Sequence, residues 1–389
     1  MLLGLLPAVV LGAARHARLG KVVVDAPPRS RVFSHIIPAN GSVWPTAIYW
    51  CLVQVGTPPV DFPVAIDSGS GDLDIAGIDC DGCVASSPAY DPSASSTSKS
   101  TFPYVFSNTY ETCDLTDPTA SCTIAGRVYR DTVSLAGYEA EVSFGSIKTQ
   151  TSNFDQFQQI DGVIGFTGGG DMDVFAQIVK TGVPDVWGIC MHEGSTSNGT
   201  LVIGGVDERL GVGEIFYVSN AGSYYDGVVV ESLIVAGRTR SRMVARSTIA
   251  VGSTAILDTG TNVLLLPTDL LAELEASVCT DDTLVSCEDL FDNVCLDLTD
   301  DQVDAYPDLL LRLEGIDLTM TSRDYLLRGS ALATTYAQYC IGIRDGGSDG
   351  GSGFIIGDTT MRNYYVIFDA VNSTVGWVPV NPETCGSIV

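Results

Sequence analysis

Short apolar runs separated by clusters of turn-forming residues are the main pattern along this chain. The runs are rich in β-branched and aromatic residues, and glycine, at 41 residues, recurs between them. Such a pattern is typical of strands joined by tight turns. It predicts an all-β chain whose strands include residues 49–56 and 227–235. Two segments with apolar residues at helical spacing, 174–180 and 268–276, are predicted to be helices.

Length and composition indicate a folded chain with two domains. The 389 residues are more than one domain of ordinary size requires, and 45% of them are hydrophobic, which is enough for a large core. A chain of this composition is not globally disordered.

Two of the apolar runs lead into the same kind of turn, Asp-[Ser/Thr]-Gly-[Ser/Thr], at residues 67–70 and 258–261. If Asp67 and Asp258 lie face to face, their like charges prevent both from ionising, and the pair holds one shared proton at acidic pH. The ionised carboxylate can then activate a water molecule while the protonated one polarises a carbonyl group. The pair therefore predicts general acid–base hydrolysis without a covalent intermediate.

The other residues of each turn are predicted to support the aspartates. In each turn the glycine lets the backbone approach closely and donate to the carboxylate. The second hydroxyl residue hydrogen-bonds the carboxylate, and the first reaches across to the opposite turn. In chain order these six residues are Ser68, Gly69, Ser70, Thr259, Gly260 and Thr261. A single Asp-Ser-Gly is ordinary turn chemistry, whereas two copies that each follow an apolar strand favour a catalytic pair.

Together with several shorter segments, the two turns make the chain resemble the pepsin-like aspartic proteases over roughly residues 44–385. The resemblance implies an all-β, bilobal fold with a peptide-binding cleft between the lobes, predicted at residues 44–217 and 218–389. It also implies peptide or protein substrates, no cofactor and no metal, and a monomeric chain. The shorter matching segments are 55–58, 90–93, 161–165, 203–207 and 355–377.

The resemblance also places Tyr110 in a flap hairpin that closes over the substrate. This chain departs from the family pattern there, because Glu111 and Cys113 replace the usual glycines. A second departure is Asp74, which stands where the family often has a tryptophan that partners the flap tyrosine. A core position is the alternative for Tyr110, and we expect the flap geometry to differ from that of pepsin.

The N-terminal region is predicted to be removed in two steps. The apolar run at residues 2–14 is too short to span a bilayer and predicts a signal peptide over residues 1–17; a buried N-terminal strand is the alternative. Residues 1–60 carry five basic residues and one acidic residue, whereas the remainder carries 15 basic and 46 acidic residues. A basic pro-segment over residues 18–43, in which Lys21 could cover the catalytic pair, fits this asymmetry, as does a solvated, disordered leader.

Residues 61–389 are strongly acidic, and this acidity bears on the partners and the working pH of the protein. It argues against nucleic acid and against an anionic membrane surface, and it fits a protein that works at low pH. No other segment approaches about 20 apolar residues, so no stable membrane span is predicted. Secretion and an acidic internal compartment, such as a vacuole, are both compatible with the sequence.

Eleven cysteines indicate an oxidising compartment. Cys80 and Cys83 are predicted to form a small structural disulfide, with a redox-active pair or half of a zinc site as alternatives. The resemblance assigns a bridge between the cysteines at 295 and 340. The further pairings that we predict are 113–122, 279–287 and 190–385, which leave Cys51 as the odd thiol. Sequons for N-glycosylation begin at Asn40, Asn198 and Asn372.

Other function classes account less well for these motifs. A serine or cysteine hydrolase needs a histidine near its nucleophile, and the chain has only His16, His35 and His192, the first two in the predicted leader. A glycosidase also uses two carboxylates, but the repeated turns have no role in that scheme. We therefore predict an acid-active aspartic endopeptidase that cleaves extended peptides between apolar residues. The alternative is a catalytically silent binding or inhibitor protein on the same fold, which the altered flap favours.

Overall fold

Strands make up most of the chain that the structure, a computed structural model, describes. The described residues are 35–42, 48–83, 88–110, 121–151, 160, 162–192, 199–238, 243–280, 284–329, 333–347 and 353–387. Several predicted features lie outside them, namely the signal peptide, Lys21, Glu111, Cys113 and Asn198. The all-β prediction is confirmed, and the described residues all belong to the unit that spans Val32–Val389.

Thirteen of the described strands form one large sheet. In their order of pairing they are β11 (Phe216–Ser219), β22 (Thr374–Pro379), β21 (Tyr364–Asp369), β9 (Val186–Met191), β10 (Gly199–Ile203), β1 (His35–Ser42), β2 (Ile48–Val55), β3 (Val60–Asp67), β8 (Gly162–Gly165), β4 (Leu73–Asp81), β7 (Tyr138–Gln150), β6 (Cys122–Leu135) and β5 (Lys99–Tyr110). The predicted lobe boundary at residues 217 and 218 falls within β11 and stays a prediction.

The second half of the chain builds a sheet of seven described strands and a small hairpin. The seven strands are, in order, β16 (Ile316–Met320), β15 (Asp308–Leu313), β12 (Gly227–Arg238), β13 (Met243–Leu257), β20 (Ile355–Ile356), β14 (Leu264–Leu266) and β19 (Ile343–Asp345). The hairpin pairs β17 (Leu326–Arg328) with β18 (Tyr339–Ile341).

The helices of the described residues are short. They are α1 (Val174–Val179), α2 (Thr268–Val278), α3 (Cys287–Phe291), α4 (Asp300–Ala305), α5 (Ser322–Tyr325) and α6 (Asp358–Met361), with a 3₁₀ turn at Glu208–Leu210. Both predicted helices, α1 and α2, are confirmed. Asp173 caps α1 by accepting from the backbone N–H of Ala176 at 2.8 Å. α2 has no side-chain cap, because Pro267 occupies the cap position.

The two halves repeat one arrangement of four strands. In the first half, β3 pairs with β8 in parallel, β8 with β4 antiparallel, and β4 with β7 in parallel. In the second half, β13, β20, β14 and β19 follow the same sequence of parallel, antiparallel and parallel pairings. Each aspartate of the repeated turns follows the first strand of its set, so the fold repeats the surroundings of Asp67 around Asp258.

A large apolar core lies on one side of both strand sets, and aromatic rings connect it to the C-terminal strands. Trp187 of β9 stacks between Phe166 and Phe368, with ring centroids 4.3 and 4.1 Å apart. The six residues of β21 are all buried, and the first five form the continuous apolar run expected of an interior strand. β1 pairs with both β10 and β2 and so connects the C-terminal strands of the large sheet to the first strand set.

The disulfide predictions are confirmed where the structure describes both cysteines. Four bridges join Cys80 to Cys83, Cys190 to Cys385, Cys279 to Cys287, and Cys295 to Cys340. Cys122 is also disulfide-bonded, and its predicted partner, Cys113, lies outside the described residues. Cys51 is a free, buried thiol, as expected.

Candidate active site

Asp67 ends β3 at the centre of the first strand set, where it pairs with Gly165 of β8. Its side chain is only 6% exposed. The N–H of Gly69 donates to Oδ1 at 2.8 Å, and the hydroxyl of Ser70 donates to Oδ2 at 2.5 Å. These two donors fix the plane of the carboxyl group and replace the water that burial removes.

Asp258 is held in the same way at the end of β13. It is 7% exposed. The N–H of Gly260 donates to Oδ1 at 2.8 Å, and the hydroxyl of Thr261 donates to Oδ2 at 2.6 Å. The predicted hydrogen-bonding partners of both aspartates are therefore present, with matching atoms on the two sides.

The two turns are also bonded to each other. The N–H of Ser68 donates to Oγ1 of Thr259, and the N–H of Thr259 donates to Oγ of Ser68, each at 3.0 Å. Both hydroxyls then donate to backbone carbonyl groups of the opposite strand, those of Leu257 and Ile66, at 2.8 Å. All four groups are buried, so the bonds hold the two turns at a fixed separation.

The glycines bring the two carboxyl groups together. A Cβ on Gly69 would lie 2.6 Å from Cγ of Asp258, and a Cβ on Gly260 would lie 2.7 Å from Oδ1 of Asp67. Each glycine backbone therefore touches the carboxyl group of the opposite turn, and any side chain at either position would displace it. The structure thus assembles all eight residues of the two turns into one site.

Electrostatics within the site favour a retained proton. Burial raises the pKa of Asp67 well above its ordinary value, and the carboxyl of Asp258, which is in hydrogen-bond contact with it, raises it further.

A third buried aspartate, Asp358, lies near Asp258. Burial and the charge of Asp258 raise the pKa of Asp358 as well, and its Oδ1 is buried without a hydrogen-bond partner. The sequence analysis assigned no role to Asp358, which directly follows the apolar segment at 354–357.

Tyr110, at the end of β5, reaches the site from the hairpin of β5 and β6. Its hydroxyl is hydrogen-bonded to Ser70, which in turn donates to Asp67. Burial raises the pKa of Tyr110 well above its ordinary value, as do the carboxyls of Asp74, Asp67 and Asp72. The hairpin tip beyond Tyr110 lies outside the described residues, so the structure places the tyrosine near Asp67 without describing the whole flap.

Asp74 lies buried beneath the same hairpin. Its Oδ2 accepts from Nδ2 of Asn108 at 2.8 Å, and the same amide donates to Oδ2 of Asp72 at 3.2 Å. Oδ1 of Asp74 is buried without a hydrogen-bond partner. Burial, with a smaller effect from Asp72, raises the pKa of Asp74 to about 8. The sequence identified Asp74 as a departure, but nothing in it pointed to Asn108, which is 34 residues away.

Within the ranges that the structure describes, no group of three or more His, Cys, Asp or Glu side chains is placed to hold a metal ion. Among the described helices, none combines the length and the apolar character that a membrane crossing requires.

Comparison with known proteins agrees with this geometry. The family model for eukaryotic aspartyl proteases matches residues 48–380. Pepsin A of Sus scrofa is 25% identical over 346 residues, covering 85% of this chain and 81% of the relative. Pepsin-2B of Gadus morhua is 26% identical over 346 residues, covering 85% and 95%. Gastricsin of Cavia porcellus is 25% identical over 350 residues, covering 85% and 80%.

Proposed function

The chain belongs to the eukaryotic aspartyl protease family, and on that premise we propose that it is an endopeptidase that hydrolyses peptide bonds at acidic pH with Asp67 and Asp258. One observation carries the proposal. Two buried carboxyl groups contact each other and receive the same pair of hydrogen bonds, one from a glycine N–H and one from a hydroxyl. A purely structural turn would not require two such groups in contact.

The reaction follows from the shared proton. In acid the pair carries one proton and one negative charge, because the two carboxyls cannot both ionise at this separation. The ionised carboxyl takes a proton from a water molecule bound between the two, and the water oxygen attacks the carbonyl carbon of the peptide bond. The protonated carboxyl donates to the carbonyl oxygen. The newly protonated carboxyl then gives its proton to the amide nitrogen while the other carboxyl takes one from a hydroxyl of the tetrahedral intermediate, so that the C–N bond breaks, a carboxylic acid and an amine form, and the pair again holds one proton.

Tyr110 is proposed to close over the bound peptide. Its hydrogen bond to Ser70 and the effect of the Asp67 charge on its hydroxyl support a place beside the reacting atoms, where it would exclude bulk water and strengthen the electrostatic interactions in the site. The proposed substrates are extended peptides, bound between lobes at residues 44–217 and 218–389 and cleaved between largely apolar residues.

The proposed compartment is oxidising and acidic. Four disulfides among the described cysteines support passage through the secretory pathway. The formal charge of −27 at pH 7 would fall towards neutrality in acid. A signal peptide at residues 1–17 and a basic pro-segment that follows it complete the proposal. Asn372, in the exposed turn between β21 and β22, is the glycosylation site that we propose, whereas Asn40 is half-buried in β1.

The experiment that tests this proposal is cleavage of a denatured protein substrate from pH 3 to pH 7, before and after acid treatment of the full-length chain. We expect activity that is highest in acid, that follows loss of the leader, and that a statine-type inhibitor abolishes. Asp258→Asn should remove it. Asp61→Asn, the same substitution at an exposed position of β3, should not. A folded and processed sample that is inactive throughout this range would contradict the proposal and favour a binding protein.

A further inference from the structure

Arg344 of β19 is a cation to which the described part of the chain supplies no carboxylate partner. Its Nε is buried without a hydrogen-bond partner, and burial alone lowers the pKa of the guanidinium to about 10. Among the described residues, no carboxylate forms an ion pair with it. This is unusual because acidic residues are abundant, at 47 against 20 basic residues. Four other arginines pair with carboxylates at the surface, namely Arg130, Arg209, Arg312 and Arg323.

The adjacent carboxylate does not neutralise Arg344. Asp345 follows it in β19, so the alternation of side chains along the strand places the two on opposite faces. Oδ1 of Asp345 already accepts from the hydroxyl of Thr268 at 2.7 Å and from the N–H of Gly347 at 2.8 Å. A half-buried guanidinium is costly without an anion, so a carboxylate supplied by a bound molecule would stabilise it.

Strand register places Arg344 on the same face of the sheet as Asp258. Arg344 pairs with Leu265, Leu265 with Ile355, and Ile355 with Ile256, so these four side chains share a face. Asp258 lies two residues after Ile256 and continues that alternation. The opposite face is the one that packs in the main core, through Leu257, Leu264, Ile343 and Ile356.

The equivalent strand set of the first half indicates independently which way the face with Arg344 points. By register, Gly145 and Asp74 of the first half are equivalent to Arg344 and Leu265 of the second. A Cβ on Gly145 would lie 2.6 Å from the ring of Phe106, so the hairpin that carries Tyr110 covers the first face closely. In the first half this face therefore looks toward the hairpin and the carboxyl pair. Its counterpart, with Arg344, faces the site from the other side.

The distance fits a residue of a bound peptide near the cleaved bond. Three strand spacings separate β13 from β19, which at about 4.8 Å each amounts to roughly 14 Å. An extended peptide advances about 3.3 Å per residue, and the long arginine side chain shortens the gap. A side chain two to four residues from the cleaved bond can therefore meet the guanidinium.

We propose that Arg344 determines specificity by binding an acidic side chain of the substrate, two to four residues from the cleaved bond. This inference rests on the proposed function, because it assigns the residue to the cleft of that enzyme. A carboxylate supplied by the peptide would satisfy the guanidinium with charge-assisted hydrogen bonds. Arg344 stays protonated throughout the acidic range, so the ionisation of the substrate alone sets the pH dependence of the preference.

Matched peptides test the inference. Each pair shares an apolar cleavage site and differs only by Glu or Gln at one position, scanned from two to four residues on either side. At pH 5 a glutamate is largely ionised, and we expect kcat/KM to favour Glu by about 10-fold or more at one position. The preference should fade below pH 4. Arg344→Gln and Arg344→Met should abolish it, whereas Arg312→Gln, at an exposed ion pair of β15, should leave it unchanged.

The outcomes separate this inference from the proposed function. Equal cleavage of Glu and Gln peptides at every position, with activity still lost in Asp258→Asn, would overturn the inference alone. Cleavage of neither peptide would overturn the proposed function. In that case the same peptides with a reduced, uncleavable bond are titrated calorimetrically. Tighter binding of the Glu peptide that disappears in Arg344→Gln supports the role of Arg344, and equal affinity overturns it.

Discussion

Ser68 and Thr259 each donate a backbone N–H to the side-chain oxygen of the other, at 3.0 Å in both directions. Their hydroxyls continue into the opposite strands and reach the carbonyl groups of Leu257 and Ile66. The aspartate turn of each half is therefore positioned by the other half. The relative position of the two carboxyls depends on these four bonds as much as on the strands that carry them.

Removing one hydroxyl from this arrangement should lower both stability and turnover. Ser68→Ala leaves the N–H of Thr259 and the carbonyl of Leu257 buried without their partners, which costs about 1–3 kcal/mol for such groups. We expect a lower melting temperature and a fall in kcat larger than any rise in KM. Ser68→Thr, which introduces the residue type found at the equivalent position 259, should recover most of the loss. Equal melting temperatures and kcat in Ser68→Ala and in the exposed control Ser96→Ala would contradict this account.

Asp74 should make the protein less stable as pH rises toward neutrality. The folded state raises the pKa of Asp74 from 3.8 to about 8 because the group is buried. The unfolded chain releases this proton near pH 4 and the folded chain near pH 8, so the contribution to stability is complete below pH 4 and is lost as pH rises to 8. Asp74→Asn should therefore stabilise the protein at pH 7, by about 3–5 kcal/mol, and change little at pH 4.

Thermal unfolding of the wild type and Asp74→Asn between pH 4 and pH 8 measures this effect. Asp72→Asn is the matched control, because Asp72 also accepts from Asn108 but is partly exposed. It should produce a much smaller change with pH. A gain in stability for Asp74→Asn that is the same at pH 4 and pH 7 would show that the carboxyl is not buried in its protonated form.

Tyr110 should contribute to turnover through its hydroxyl group. Tyr110→Phe keeps the ring and removes the hydrogen bond to Ser70, which donates to Asp67. One hydrogen bond of ordinary strength corresponds to a loss of roughly 2- to 10-fold in kcat/KM. Tyr104→Phe removes the hydroxyl of an exposed tyrosine on the same strand and should have no effect. A core role for Tyr110 would instead lower the melting temperature and leave the kinetics unchanged.

Processing should leave β1 attached to the enzyme. Residues 35–39 pair with β10 and residues 40–42 with β2, so a cut at residue 43 would expose the edges of two interior strands. We therefore expect the new N-terminus of the acid-treated protein at or before His35, upstream of the pro-segment boundary that the sequence analysis predicted at residue 43. Mass spectrometry of the active species measures it. An active species that begins after Ser42 and lacks the β1 peptide would contradict this expectation.

Sequence reasoning anticipated the fold class and the candidate site because both depend on local signals. Alternating and continuous apolar runs identify strands, and the two Asp-[Ser/Thr]-Gly turns place their own donors within three residues of each carboxyl. The bonds between Ser68 and Thr259 were also expected, since the two turns have complementary groups. The resemblance supplied the bridge between Cys295 and Cys340, and the Cys-x-x-Cys spacing supplied that between Cys80 and Cys83.

The features that the sequence did not reveal depend on contacts between distant strands. Asn108 meets Asp74 only because β5 folds over β4, and nothing in either segment indicates this contact. Arg344 is unusual only because it is half buried, which the local sequence does not indicate. The sequence interpretation included the residues of β1 in the predicted pro-segment, and their place in the sheet depends on pairing with residues more than 150 positions away.

The repeated strand set also bears on the direction in which a peptide can bind. A site with perfect two-fold symmetry would accept a chain equally well in either of two opposite orientations, although a peptide has distinct N- and C-terminal ends. The two halves of this site differ at equivalent places, with Asp74 and Gly145 on one side and Leu265 and Arg344 on the other. Because of these differences the two orientations are not equivalent, and a peptide should bind in one preferred N- to C-terminal direction.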